Sequence, residues 1–83
     1  MSEYNGWKNR QTWNVSLWIN NEEPMYRAAV KFMEDNPDPK NPYMAFIINQ
    51  GLTEERTPDK IAYISSRLDY KALNAMMKEM VAS

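Results

Sequence analysis

Cysteine and histidine are both absent from the 83 residues, and glycine occurs only at Gly6 and Gly51. Without cysteine there is no disulfide, no thiolate nucleophile and no cysteine metal site. Without histidine the chain lacks the side chain that titrates nearest neutrality. General acid–base work would then fall to carboxylates such as Glu22, Glu23, Glu54, Glu55, Asp59 and Asp69. Each of these has a plainer reading as a helix cap, a first-turn acid or a solvated loop charge. Asp and Glu never recur at the spacing of a calcium loop, and two isolated glycines build no phosphate cradle. The expectation is a protein that is not an enzyme, with no metal site and no cofactor.

A charge excess is also missing. Ten Lys and Arg face eleven Asp and Glu, for a net charge of −1. That balance supplies no electrostatic reason to seek nucleic acid or an anionic membrane. The longest apolar run, Tyr43 to Ile48, is far too short to span a bilayer. The opening MSEYNGWKNR has no apolar run behind a basic start, so no secretory signal is expected. A soluble, cytoplasmic protein follows, and the Asn14-Val15-Ser16 glycosylation sequon carries little weight in that setting.

What the chain does have is bulk: three Trp, five Tyr, two Phe and seven Met. A domain of this size buries only about 60% of the surface its unfolded chain exposes, so it needs a dense core. One helical domain over residues 1–83 is expected. Residues 1–8 form an N-terminal arm, and 36–42, with prolines at 37, 39 and 42, form an internal loop.

Helix punctuation places the elements. Asn21 can cap a helix from Glu22 to about Asp35, where Glu22 and Glu23 suit the positive N-terminal end. Met25, Tyr26, Ala29, Val30, Phe32 and Met33 share one face of it; Arg27, Lys31, Glu34 and Asp35 share the other. Asn41 can cap a helix that begins at Pro42 and stops at Gly51, with Leu52 folding back. Thr57 then caps a helix from Pro58, with Ile61, Ile64 and Leu68 as its stripe. Asp69 caps the last helix. There Tyr70, Leu73, Met76, Met77, Met80 and Val81 fall within an arc of about 140°.

The segment around the tryptophans is ambiguous. Trp13, Val15, Leu17 and Ile19 alternate with polar residues as in a strand, and only Trp18 breaks the alternation. No convincing partner strand exists elsewhere, and a lone strand leaves its backbone unpaired. A helix over residues 10–20 is therefore expected. The fold class is all-α: a compact single-domain bundle of four or five short helices, with this segment as its central rod.

On that arrangement Trp13, Leu17 and Ile19 are core, and Trp13→Ala should cost on the order of 3–5 kcal/mol. Trp7 and Trp18 are the tryptophans expected to stand partly exposed. Tyr63 lies off its helix's stripe near Asp59, Lys60 and Arg67, as a surface tyrosine would. Trp7, Arg10, Trp18 and Tyr63 are thus the candidate partner-binding residues, because exposed aromatics and arginine anchor interfaces. The leading class is a non-enzymatic protein-binding module. The alternatives are a nucleic-acid-associated accessory protein using Trp7, Lys8 and Arg10, and a homo-oligomeric structural protein that hides its surplus aromatics in its own interface.

The same segment resembles the N-terminal signature of a family of small, largely uncharacterised phage and bacterial proteins. Those begin with a Gly-Trp, then an Asn, a Thr-Trp and a Leu-Trp-Ile-x-Asn. The matching positions are Tyr4, Asn5, Gly6, Trp7, Asn9, Thr12, Trp13, Val15, Leu17, Trp18, Ile19 and Asn20. Asp69-Tyr70-Lys71-Ala72-Leu73 is similar to the aspartate–aromatic pair that opens the family's last helix, whereas Pro24 departs from its pattern. The resemblance implies no active site. It implies a phage or bacterial setting, in which a small accessory protein modulates or inhibits a host protein of defence or metabolism.

Overall fold

In the computed structural model, which describes residues 6–36 and 39–81, the ambiguous segment is a helix. Helix α1 spans Arg10–Asn21. It starts where Asn9 leaves extended backbone and turns its side chain onto the first turn, accepting from the Thr12 N–H at 2.9 Å and the Thr12 hydroxyl at 2.7 Å. Helices α2 (Glu23–Asp35), α3 (Pro42–Asn49) and α4 (Tyr70–Glu79) follow. No strand occurs among the described residues, only an isolated antiparallel bridge between Arg56 and Ala62. The radius of gyration is 11.9 Å, against about 11.8 Å for one compact domain of this length. The chain is a small all-α domain. Tyr4 and Asn5 of the signature, and Pro37 and Asp38 of the proline-rich loop, lie outside the described residues.

A single residue separates α1 from α2. Glu22 is extended, with its N–H closing on the Trp18 carbonyl at 3.1 Å and its carbonyl accepting from the Tyr26 N–H at 2.8 Å. Asn21 therefore ends α1 and does not cap α2, and α2 begins at Glu23 without a side-chain cap. Pro24 accounts for the tolerance: it falls in the first turn, where an N–H would have no intrahelical acceptor. Ala29 and Met33 of α2 are buried, with Met25, Ala28 and Phe32 packed beside them, while Tyr26 is 38% exposed. The solvent side carries i,i+4 ion pairs, Arg27–Glu23 at 2.8 Å and Lys31–Asp35 at 3.4 Å.

Helix α3 starts at Pro42 and ends as its punctuation implies. Gly51 takes a φ of +71°, the Gly51 N–H reaches the Ile48 carbonyl at 3.1 Å, and the Leu52 N–H reaches Ile47 at 3.0 Å. Its N-terminus differs from expectation. Asn41 makes no side-chain cap; the Tyr43 N–H donates instead to Asn74 Oδ1 of α4 at 3.0 Å. One helix is thus capped by its neighbour. Asp69 caps α4 as expected, accepting from the Ala72 N–H at 3.2 Å.

The helix expected from Pro58 does not form. Residues 52–69 run as an irregular, heavily bonded segment. The Thr57 N–H donates to the Ile61 carbonyl at 2.8 Å, the Lys60 N–H donates to the Thr57 carbonyl at 2.7 Å, and Lys60 adopts a φ of +70°. A left-handed lysine is strained by about 1–2 kcal/mol and ends any right-handed helix there. Farther on, the Tyr70 hydroxyl accepts from the Ser65 N–H at 2.9 Å and donates to the Ser65 carbonyl at 2.8 Å, and Asn9 Nδ2 donates to the Arg67 carbonyl at 2.6 Å. Side chains from elsewhere thus supply partners that a helix would have supplied from its own backbone. Leu68 still reaches the core, and Ile61 and Ile64 still pack against it.

The core lies between α1, α2, α3 and α4 and is closed by this segment. Val15 and Ile19 enter it from α1, Phe46 and Ile47 from α3, Leu73 and Met77 from α4. On α1 the inward row is Thr12, Val15, Ser16 and Ile19, at spacings of three and four. Trp13 and Leu17, expected in the core with Ile19, are only partly buried. The physical reason is helical spacing: the turn of about 3.6 residues that puts Thr12, Val15, Ser16 and Ile19 on the inward side carries Trp13 and Leu17 to another side of the helix.

Candidate protein-docking face

Opposite its inward row, α1 presents two neighbouring rows, Arg10–Asn14–Trp18 and Trp13–Leu17–Asn21. Trp13, Leu17 and Trp18 are each partly exposed and Arg10 is exposed. The turn at residues 57–60 lies over the first row. There Asn14, on the outer side of its helix, is only 1% exposed. Its Oδ1 accepts from the Thr57 hydroxyl at 2.7 Å, and its Nδ2 donates to Asp59 Oδ2 at 2.8 Å. The Trp18 indole N–H donates to the same Oδ2 at 2.9 Å. The Thr57 oxygen also accepts from the Ile61 N–H at 3.2 Å, which fixes the turn.

These bonds hold the Asp59 carboxyl below the usual carboxylate range: the Asn14 bond contributes most, then the Trp18 bond, with the Arg10 charge adding to both. The arrangement therefore favours the ionised carboxylate and holds it in fixed orientation beside a partly exposed indole. It has the wrong properties for a base at neutral pH. The tyrosines move the other way. Burial, aided by the neighbouring phenols of Tyr70 and Tyr63, raises Tyr43 far above its ordinary value, and its hydroxyl donates to the Tyr63 carbonyl at 2.6 Å. Burial, and secondarily the Glu22 charge, raises Tyr63. Among the described residues no three acidic side chains gather where they could hold a metal ion, and no helix is long and apolar enough to cross a membrane.

Of the four residues singled out from the sequence, Arg10 and Trp18 share this face, about two turns apart on α1. Trp7 lies apart, packed on the core and flanking a shallow depression of about 350 Å³ with Gly6, Ala72, Ala75, Met76 and Glu79. Tyr63 corrects the expectation: it is 4% exposed and belongs to the core, because the helix on which it was placed outside the stripe does not exist. Asn14, Thr57 and Asp59 were missed as a group. Burial of the Asn14 amide also removes the sequon as a glycan site in the folded protein. Elsewhere among the described residues, Tyr26 and the 60%-exposed Ile48 are the large exposed apolar side chains, and isolated residues of that kind are ordinary on a protein surface.

The family model for DUF7249 matches residues 1–83. The chain belongs to DUF7249, a family of unknown function. No curated protein and no solved structure matches it. For this DUF7249 member the site geometry above therefore stands as the ground for a functional reading.

Proposed function

We propose that this chain is a non-enzymatic protein-binding module that docks through the outer face of α1, and that it acts in a host cytoplasm as a phage-encoded modulator or inhibitor of a host protein. One observation carries the binding reading. Helix α1 satisfies the core with Val15 and Ile19, yet keeps Trp13, Leu17 and Trp18 partly exposed together on its other side, next to a rigidly held charge. Clustered aromatics around a fixed polar group are the usual composition of an interface hot spot. The phage and host setting is supported by the resemblance of the N-terminal signature alone.

The test compares wild type with Leu17→Glu, a change on the outer face that a helix accepts, after circular dichroism has shown both to be folded. Each is used to capture protein from a bacterial host lysate, and the captured component is then purified and titrated. A one-to-one complex with wild type, weakened at least tenfold by Leu17→Glu, supports the reading. Equal binding by both, capture of nucleic acid alone, or a dimer of the chain itself disrupted by Leu17→Glu would each overturn it.

A further inference from the structure

We infer that Trp18 and Asp59 form a receptor for one arginine side chain presented by the protein partner, a statement that rests on the reading of α1 as a docking element. Asp59 is exposed, but it is not a free-swinging surface carboxylate. Its Oδ2 accepts two hydrogen bonds, from Asn14 Nδ2 at 2.8 Å and from the Trp18 indole N–H at 2.9 Å. Asn14 is in turn buried and held by Thr57. An ordinary exposed ion pair gains little, partly because two long side chains must be ordered to make it. Here the acceptor is already ordered by groups anchored in the folded chain, so that loss falls on the incoming side chain alone.

The remaining acceptor capacity has a direction. Two donors occupy Oδ2, and no described residue donates to Oδ1, which keeps both of its acceptor positions. The indole N–H lies in the plane of its ring, so its bond to Oδ2 places the carboxylate near that plane, at the ring's edge. A planar cation stacked on the partly exposed indole of Trp18 would carry its in-plane N–H groups toward that edge, where Oδ1 is the open acceptor. Ring face and carboxylate both attract positive charge, and the pair favours a guanidinium over an ammonium, because a guanidinium stacks flat while its N–H groups point outward in plane. Arg10 lies near enough to favour the charged form of Asp59, yet Asp59 has no ion pair among the described residues. Its charge is available to a partner.

The probe is N-acetyl-argininamide titrated into the wild-type chain, with the Trp18 indole N–H followed by NMR and assigned by its disappearance in Trp18→Phe. N-acetyl-citrullinamide, the same shape without the charge, and N-acetyl-lysinamide are the controls. The expected result is a saturable Trp18 shift with the arginine probe, weaker by about fivefold or more with citrulline and with lysine. Asp59→Asn, whose amide oxygen can still accept from Asn14 and Trp18, should lose the arginine response to the same extent. Arg10→Ala should keep or strengthen it. An equal response to citrulline, an equal response to lysine, no saturable shift, or an unchanged titration in Asp59→Asn would overturn the inference. The citrulline comparison needs no variant, so a folding defect cannot obscure it. If Leu17→Glu abolishes partner capture while Asp59→Asn leaves it intact, this inference fails and the docking reading stands. If the probe binds and no protein is captured, the docking reading fails on its own.

Discussion

Substituting Thr57 by valine keeps the shape of the side chain and removes one hydroxyl. In the structure that hydroxyl donates to Asn14 Oδ1 at 2.7 Å and accepts from the Ile61 N–H at 3.2 Å, at a position 3% exposed. Stripping the buried Asn14 carbonyl of its donor costs about 1–3 kcal/mol, and the longer Ile61 bond adds less, so about 2 kcal/mol is expected in all. For a domain of about 60–100 residues that lowers Tm by roughly 8–16 °C. A lost helix cap would also cost about 1 kcal/mol, so the single variant does not separate this turn from a capped helix at Pro58. A double-mutant cycle with Asn14→Ala does. Asn14 and Thr57 are 43 positions apart in sequence and bonded in the fold. Their coupling should therefore reach about 1–2 kcal/mol, whereas a cap of a separate local helix would add to Asn14→Ala within about 0.5 kcal/mol. Urea unfolding of the four proteins at neutral pH, at constant m, measures the coupling directly. Additive losses would refute the network, and with it the fixed orientation of Asp59.

Ile19→Ala should cost about 2–5 kcal/mol and Trp13→Ala clearly less, because Ile19 is fully buried and Trp13 is not; thermal unfolding of both variants ranks them, and the reverse order would mean that α1 is rotated. Asn74→Ala removes the acceptor for the Tyr43 N–H and should cost about 1 kcal/mol in urea unfolding although it lies in another helix. Gly51→Ala, at a φ of +71° with no atom near an added Cβ, should lose about 1 kcal/mol from backbone strain alone; no change in Tm would contradict the left-handed end of α3. Asp59 has a folded pKa below its unfolded one, so its stabilisation is present above the unfolded value of about 3.9 and is lost as pH falls through the folded value. Between neutral and strongly acid pH, wild type should therefore lose more Tm than Asp59→Asn, in which this group no longer titrates.

What could be read from the chain was what depends on neighbours in sequence. Asp69, Pro42 and Gly51 act within one turn of their helices, and they mark both ends of α3 and the start of α4. The apolar arc of α4 likewise faces the core. The segment after Thr57 failed for the opposite reason. Its cap residue and its stripe were locally sound, but the Thr57 hydroxyl is taken by Asn14 and the Arg67 carbonyl is held by Asn9, and those bonds are not local. Tyr63 was misplaced by the same error, since its exposure was inferred from a helix that is absent. In α1 the helix was legible, but its inward side was not, because Thr12 and Ser16 are polar and the indoles are large. Half of the candidate site, Arg10 and Trp18, followed from exposure of unusual side chains. The other half was marked only by Asn14, a polar residue amid apolar ones, and by the Thr-Pro-Asp turn.

The Thr12 hydroxyl donates to Asn9, the cap of α1, and accepts from the Asp69 N–H at the start of α4, at 2.9 Å across 57 positions. Beside it, Asn9 Nδ2 holds the Arg67 carbonyl, 58 positions away. The beginnings of the first and last helices are thus one joint. A growing chain cannot complete that joint until residues 67–69 have been made, so the start of α1 waits for them through most of the sequence. Shortening the chain at α4 should consequently unravel the opposite end as well, and the protein should fold in one late step rather than helix by helix.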